Sequence, residues 1–403
     1  MNGERPRVLI VGCGFPQLGL LRAAKELGLF VVGTDANPSA IGRSACDRFF
    51  EASTHDVDAI VSAARQADVL GITTCGSEVA LKSTVQAALE LGLPFYGDSA
   101  TVERCQAKDL MRDAYRAGGA PIPAFVSAAS FNEASAFVSR EGLPVVVKPS
   151  RGWGQRGVSK VEHAPELRAS YDRAREASST GIVLVEEFID GREFSVNAYT
   201  HAGKTEVFSV TERIITHYPD PPGITFAEWY PAGLGPADKE DAVRAALLGV
   251  RALGIRRGPT YTQLRVGPDG ARIVETAYRL GGGLDPDVAL LASGVSLFRK
   301  ILGVALGKSD WEAAGPEKPA HGGAIGKFIV GKPGSVVRIE GLDEARALPG
   351  VVAAEVYVGV GGTVFPLTDG SKRAGHVLAH GRDRAEAEAR AKTAVDTIRI
   401  VTE

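Results

Sequence analysis

The stretch Val145-Val-Val-Lys148-Pro-Ser-Arg-Gly152-Trp-Gly154-Gln-Arg-Gly157-Val158 decides how this chain is read. Three valines make a short buried strand that ends on Lys148, and Gly152, Gly154 and Gly157 follow in a loop. Amides of such glycines can wrap phosphate oxygens without side-chain interference. A Walker loop is excluded, because there the lysine follows the glycines and opens a helix. A surface lysine ahead of a flexible hairpin is the competing reading, so the neighbouring stretches must decide.

Downstream, Leu184-Val-Glu186-Glu187-Phe188-Ile189-Asp-Gly191-Arg-Glu193 places adjacent acids at the end of an apolar strand and another after a glycine turn. Solvated edge charges account for two of them. A nucleotide site uses the same pattern, with strand-end backbone reading adenine and a carboxylate accepting from ribose hydroxyls. Farther on, strands Tyr261 to Val266 and Arg272 to Thr276 flank the turn Gly267-Pro-Asp-Gly270, which favours a hairpin. That pairing opposes Gln263 and Glu275, oxygen ligands suited to magnesium. Arg279 then precedes Gly281-Gly282-Gly283, and an arginine beside a glycine loop can clamp a carboxylate or phosphoryl group.

The whole chain has 403 residues, 46 Lys plus Arg against 48 Asp plus Glu, and 44% apolar content. The charge of −2 gives no reason to expect a nucleic-acid partner, and the apolar content suffices for two or three cored domains. No apolar run approaches the roughly 20 residues that cross a bilayer, and Met1 to Arg7 leads into a strand rather than a signal peptide. A soluble cytoplasmic protein with no membrane partner is therefore expected. Cys13, Cys46, Cys75 and Cys105 lie some thirty residues apart without a CxxC pair, so neither a disulfide framework nor a structural zinc site is expected.

The first hundred residues alternate strands and helices. Val8 to Val11 is a strand, Gly12 to Gly14 a turn, Leu18 to Leu27 a helix and Leu29 to Gly33 a strand ending at Asp35. Val69 to Thr73, a helix over Ala80 to Leu91 and a strand at Leu93 to Tyr96 continue the rhythm, which predicts a parallel sheet. Gly12 and Gly14 with Asp35 suggest a dinucleotide corner. The third glycine of that fingerprint falls on Gln17, so a plain strand-turn-helix corner is the stronger reading. A short helix at Thr101 to Lys108, strands Ile182 to Glu187, Glu193 to Tyr199 and Thr205 to Arg213, and a helix from Ala237 to Leu253 follow. Lys308 to His321 reads as a connector, and the rest as a strand-rich block closed by a helix over Ala385 to Ile398.

Taken in order, these residues resemble the ATP-grasp superfamily over nearly the whole chain. The resemblance implies an α/β ATP-grasp fold with an N-terminal Rossmann-like pre-ATP-grasp domain over 1–100. The ATP-grasp domain covers 101–307, with a lid at about 121–198, and a biotin-carboxylase-like C-terminal α+β block covers 308–403. Lys108 and Lys148 match the two lysines on ATP phosphates, and Gly152, Gly154 and Gly157 the mobile phosphate loop. Glu186, Glu187, Phe188 and Ile189 match the adenine hinge, Glu193 the ribose acid, Gln263 and Glu275 the metal ligands, and Arg279 the catalytic arginine, with Lys148 also catalytic. ATP and Mg2+, or Mn2+ in its place, are the implied cofactors. Two positions depart from the pattern. Glu275-Thr-Ala277-Tyr-Arg279 has alanine where a second metal ligand normally sits, as in amino-acid ligases, and the other metal position is the neutral Gln263 rather than Glu.

The implied chemistry is carboxylate activation: ATP phosphorylates an acid to an acyl phosphate and an amine displaces phosphate. The glycine run 281–283 stands where a bicarbonate enzyme of the superfamily carries its Gln-Val-Glu-type motif, and the chain has room for only one half of a carbamoyl-phosphate synthase. A carboxylate–amine ligase for amino acids or related acids is expected, with a small-molecule acid and amine as partners and a homodimer by resemblance. A purine-biosynthesis-like or biotin-carboxylase-like enzyme and a silent nucleotide binder are the alternatives. Thr211 to Pro231, with Arg213, His217, Glu228, Trp229 and Tyr230 around Pro219-Asp-Pro-Pro222, reads as a long loop lining the substrate pocket, together with Gly282 and Gly283. His376 and His380 fall on a strand rather than a helix, which argues against a zinc pair.

Overall fold

A computed structural model of the chain describes residues 5–152, 156–216 and 223–403. The first sheet is parallel, in the order β3 (Arg48–Glu51), β2 (Phe30–Asp35), β1 (Arg7–Val11), β4 (Gly71–Thr73). Helices α1 (Leu18–Glu26), α2 (Val57–Ala67) and α3 (Glu78–Leu91) cover it, so both faces of β1 and β2 are apolar and buried. The expected parallel sheet is present, with one exchange of strands. Leu93–Tyr96 is not a strand: Pro94 has no N–H for a ladder, and Phe95 and Tyr96 stack on each other at 4.3 Å while Tyr96 packs on Tyr278. The fourth place goes to Arg48–Glu51, an edge strand whose charged ends hid it.

The corner after β1 is filled. Gly12 has φ +89, and the Gln17 side chain lies so close that a β-carbon on Gly12 would be 3.0 Å from its Cδ. Gln17 is buried, accepts from the Gly14 amide at 3.1 Å and donates to the Cys75 carbonyl at 2.6 Å. Asp35 accepts from the Cys13 and Asn37 amides, both at 2.9 Å. The groups that would receive a pyrophosphate and a ribose are therefore already bonded within the chain. Cys13 and Cys46, 33 residues apart, are free thiols with their sulfurs 3.7 Å apart, a contact that cysteine spacing does not reveal.

Helices α4 (Ser99–Gln106) and α5 (Lys108–Ala117) lead to a four-stranded antiparallel sheet, β5 (Phe125–Ala128), β8 (Val183–Glu187), β6 (Val145–Pro149), β7 (Ser159–Val161). Helices α6 (Phe131–Glu141) and α7 (Leu167–Ala177) close its core, which includes Phe137, Val145, Val147 and Tyr171. This small sheet ends at Glu187; β9 (Arg192–His201), which the expected lid range partly includes, pairs instead within the large sheet.

The large sheet has eight strands. It runs β13 (Gly270–Ala277), β12 (Gly258–Gly267), β9, β10 (Lys204–Thr216), β11 (Ile224–Tyr230), β14 (Gly323–Ile329), β18 (Gly375–Gly381), β16 (Val351–Val356). Helix α8 (Pro236–Ala252) packs beneath β12 and β13, with Ala242, Ala245, Ala246 and Val250 buried. Between β13 and β14 come α9 (Asp285–Ser293), α10 (Leu297–Ala305) and α11 (Ser309–Ala313), so the expected connector holds a helical turn. Glu312 there is buried and receives Arg257, Tyr199 and His201. The C-terminal block adds β15 (Gly334–Glu340), α12 (Leu342–Arg346), β17 (Thr363–Val364) and α13 (Arg384–Thr397). The chain does not close on that helix: β19 (Arg399–Thr402) follows and pairs with β15, an alternation too short to mark it beforehand.

Candidate active site

A cavity of about 1030 Å3 opens between the small sheet, the large sheet and helices α3 to α5. It is lined by Lys108, Lys148, Gly152, Glu186, Glu187, Phe188, Ile189, Glu193, Arg213, Gln263, Glu275 and Arg279. These residues span 172 positions of sequence, from 108 to 279, so the cavity gathers what the motifs only suggested.

On the small sheet, β6 and β8 pair Lys148 with Leu184 and Val146 with Glu186. Lys148 and Glu186 are buried, with Nζ and Oε2 2.6 Å apart. Arg112, from α5, donates to Glu186 Oε1 at 2.5 Å and to the Val274 carbonyl at 2.8 Å. Burial lowers the proton affinity of Lys148, and the Arg112 and Lys108 charges add to it against the opposing pull of Glu186, to a pKa of about 8. Burial raises that of Glu186, but the two adjacent cations outweigh it and hold the carboxyl at about 2. Lys108 opens α5; its amide donates to Ser150 O at 3.0 Å and its Nζ to Gly152 O at 2.9 Å. Both lysines thus flank the start of the glycine loop. Gly154 lies outside the described residues. Gly157 packs on α7 rather than lining the cavity, a β-carbon there falling 2.8 Å from that of Ala177.

At the hinge, the Glu186 side chain faces the lysine and not an adenine edge. Glu187 accepts from Arg272 at 2.8 Å. The Phe188 ring has Lys160 Nζ 4.3 Å and the Arg265 guanidinium 5.0 Å from its centre. Arg265 also donates to Ile189 O at 2.9 Å and to Glu193 at 2.7 Å, while Arg213 holds the other Glu193 oxygen at 2.9 Å. Glu193 therefore carries two arginine partners where a ribose acid is expected.

On the large sheet, β12 and β13 pair Gln263 with Glu275, as the hairpin implied. Gln263 donates to Glu275 at 3.1 Å and accepts from Arg213 at 2.8 Å. Arg279 is ion-paired through Nε to Glu78 at 2.8 Å and donates to Leu280 O at 3.0 Å. Burial alone would lower its proton affinity, but Glu78 and Glu275 raise it above the usual arginine value, so it stays charged.

The segment Thr211 to Pro231 is not a long loop. Residues 211–216 and 224–230 are parts of the paired strands β10 and β11, because their β-branched and aromatic residues alternate across the sheet. His217 and Pro219-Asp-Pro-Pro222 lie outside the described residues. Arg213 pairs in register with Glu228 and lines the cavity, whereas Trp229 packs in the C-terminal core beneath Arg384. Glu228 is buried against Asp285, and burial followed by that like charge pushes its carboxyl well above the usual range. Its Oε2 has no hydrogen-bond partner among the described residues. Gly282 and Gly283 sit at close approaches: a β-carbon at 283 would lie 2.3 Å from Glu228 Oε1, and one at 282 would lie 2.6 Å from Gly76 O. In the C-terminal block His376 and His380 share strand β18, one bonded to the Tyr357 hydroxyl at 2.8 Å and the other stacked on His321 at 3.7 Å.

Arg112, Glu78, Arg265 and Asp285 were missed from sequence. Arg112 follows Lys108 by one helical turn, which is a usable signal on a helix face. Glu78 and Arg279 are 201 positions apart and give none.

An ATP-grasp domain profile matches residues 141–287, and a profile of the L-amino acid ligase C-terminal domain 2 matches 327–403. Residues 141–287 of this chain are an ATP-grasp domain. A protein of Sinorhizobium fredii is 28% identical over 389 residues, covering 94% of this chain and 79% of that one. A D-alanine–D-alanine ligase of Marinobacter nauticus is 33% identical over 178 residues, and mouse carnosine synthase 27% over 363. Those alignments cover 43% and 82% of this ATP-grasp chain but only 54% and 42% of the two relatives. The fold is shared with an L-amino acid ligase of Bacillus licheniformis at TM-score 0.80 and 24% identity, and with a phosphoribosylglycinamide synthetase of Anaerococcus prevotii at 0.81 and 16%; each covers 99% of this chain and 100% of the other. As an ATP-grasp ligase-family protein, the chain stands among enzymes that form C–N bonds with release of ADP.

Proposed function

We propose that this ATP-grasp protein activates the carboxylate of an amino acid or related acid as an acyl phosphate and joins it to an amine, releasing ADP and phosphate. The observation that carries this reading is the convergence of Lys108, Lys148 and Arg279 on one cavity that Glu275 and Gln263 also line. Such a cluster can receive a polyphosphate and, beside it, a carboxylate. The profile match at the C terminus favours amino acids over other acids.

In this reading Lys108 and Lys148 hold the nucleotide phosphates at the mouth of the glycine loop. Hinge residues Glu187 to Ile189 border the base and Glu193 the ribose. Arg279 turns its guanidinium to the acid and steadies the oxyanion in both half-reactions, with Glu78 holding it beforehand. Arg213 borders the amine side of the cavity, and Glu228, Gly282 and Gly283 stand outside the lining, where Gly283 packs on Glu228 and Gly282 on Gly76. Glu275 offers one carboxylate and Gln263 a neutral oxygen, which suits a hard cation that also keeps phosphate and water oxygens, whereas Ala277 adds no donor for a second ion. That ion, when bound, screens the charge of the transferring phosphoryl group. Lys148 is presented as an ammonium, Arg279 as a guanidinium, and closure of the loop would keep water from an acyl phosphate.

The test is release of ADP and phosphate from MgATP across a panel of single acids and amino-acid pairs, with Lys148→Ala and Arg279→Ala as controls. Turnover that needs an acid and an amine together, and disappears in both variants, supports the reading. ATP turnover on bicarbonate or on a ribonucleotide amine alone would replace it.

A further inference from the structure

Arg112 is 1% exposed, on the first turns of α5, in a chain whose other arginines mostly reach solvent. Its Nε and Nη2 bond Glu186 Oε1 and the Val274 carbonyl, at 2.5 and 2.8 Å, while Glu186 Oε2 holds Lys148 at 2.6 Å. The buried row reads cation, anion, cation. A Lys148–Glu186 pair without the arginine would be neutral and closed on itself, and such a pair in a low-dielectric site has little attraction left for an incoming anion. With Arg112 present the row has a net charge of +1, and Lys148 is the member beside Lys108 and the glycine loop.

Resting on the ATP-binding part of the proposal above, we infer that Arg112 is a positioning residue for the nucleotide: it occupies one oxygen of Glu186, so that Lys148 keeps an uncompensated charge for the phosphates. Its bond to Val274, next to Glu275 on β13, also fixes Lys148 relative to the strand that carries the metal-side carboxylate. The charged groups around Lys148 are Glu186 from β8 and Arg112 and Lys108 from α5, with Glu275 acting on Arg112 from β13. Removing the Arg112 charge removes a like charge from this set. Lys148 then binds its proton more tightly while giving the phosphates less.

The two effects separate positioning from packing. MgATP affinity is measured by calorimetry from pH 7 to 9.5 on the full chain, for wild type, Arg112→Gln, Arg112→Lys, Glu186→Gln and the double variant Arg112→Gln/Glu186→Gln. The wild type is expected to lose affinity as pH rises through about 8. Arg112→Gln is expected to bind roughly tenfold more weakly at pH 7, the scale of one charge-assisted hydrogen bond, and to move that break upward. Arg112→Lys is expected to restore both, and the Arg112→Gln effect is expected to shrink when Glu186 is already Gln.

Weaker binding with the break left near the wild-type position overturns the inference and leaves Arg112 a packing residue. If Arg112→Gln does not fold, Arg112→Lys decides: a folded lysine variant with both properties lost shows that the charge is not what matters. A wild type that binds no MgATP overturns the functional proposal itself, whatever the arginine variants do.

Discussion

The glycine-containing turns after β1 and after β6 both follow buried strands, and of these two the second opens to a cavity. After β1, Gly12 and Gly14 are covered by Gln17, and Asp35 accepts from the amide of Cys13 in that turn and of Asn37 in its own loop. After β6, the turn through Gly152 lies between two lysines and borders about 1030 Å3 of free space. The difference is not glycine content. What separates them is whether the polar groups at the strand end have partners within the chain or face open space with charge to offer.

The sharpest way to break this comparison is at the cavity that the open turn borders. Lys148→Ala or Arg279→Ala should lower ligase turnover on the order of 10^3-fold, as loss of a charge that meets the reacting phosphoryl or carboxylate does, and steady-state ADP release reads it. Turnover near wild type in either would move the site elsewhere.

At the closed turn the expected loss is of stability. Gln17→Ala leaves the Gly14 amide and the Cys75 carbonyl without their partner in a buried corner, so the urea midpoint should fall by the equivalent of about 2 kcal/mol with MgATP affinity unchanged. Binding of a dinucleotide by that variant would mean that only the glutamine kept the corner closed. Asp35→Asn keeps one acceptor oxygen for two amides and should cost about 1 kcal/mol, again without effect on ATP.

The smallest signal is a proton. The pKa of Lys148 is lowered to about 8, because burial and two neighbouring cations outweigh Glu186. Phosphates favour its charged form, so MgATP binding at pH 8.5 should take up roughly 0.5 to 0.8 proton, and none through this group in Lys148→Met. Binding enthalpies in buffers of different ionisation heat measure it. In the nucleotide-free protein the depressed value makes Lys148 contribute stability above about 10.5, the ordinary lysine range, that is lost as pH falls through about 8. The difference in urea midpoint between wild type and Lys148→Met should follow that course.

Much of this was written locally. The valines before Lys148, the turn Gly267-Pro-Asp-Gly270 that sets Gln263 against Glu275, and the glutamine in place of a third glycine each act within a few residues, where periodicity and turn chemistry are legible. The misses have local causes too. Pro94 kept Leu93–Tyr96 out of the sheet, and the strands of Thr211 to Pro231 were hidden by the proline-rich sequence between them.

What the sequence determined by itself is the alternation of elements, the parallel first sheet and the types of side chain available for phosphate and carboxylate chemistry, because each depends on neighbours along the chain. Tertiary structure alone decided which charges meet. Glu78 reaches Arg279 from 201 positions away, Arg112 on α5 shares Glu186 with Lys148 of the neighbouring strand, and burial together with the Asp285 charge raises the proton affinity of Glu228. Coulomb interactions and burial depend on distance in space, and no spacing along a chain fixes that distance until the layers have packed.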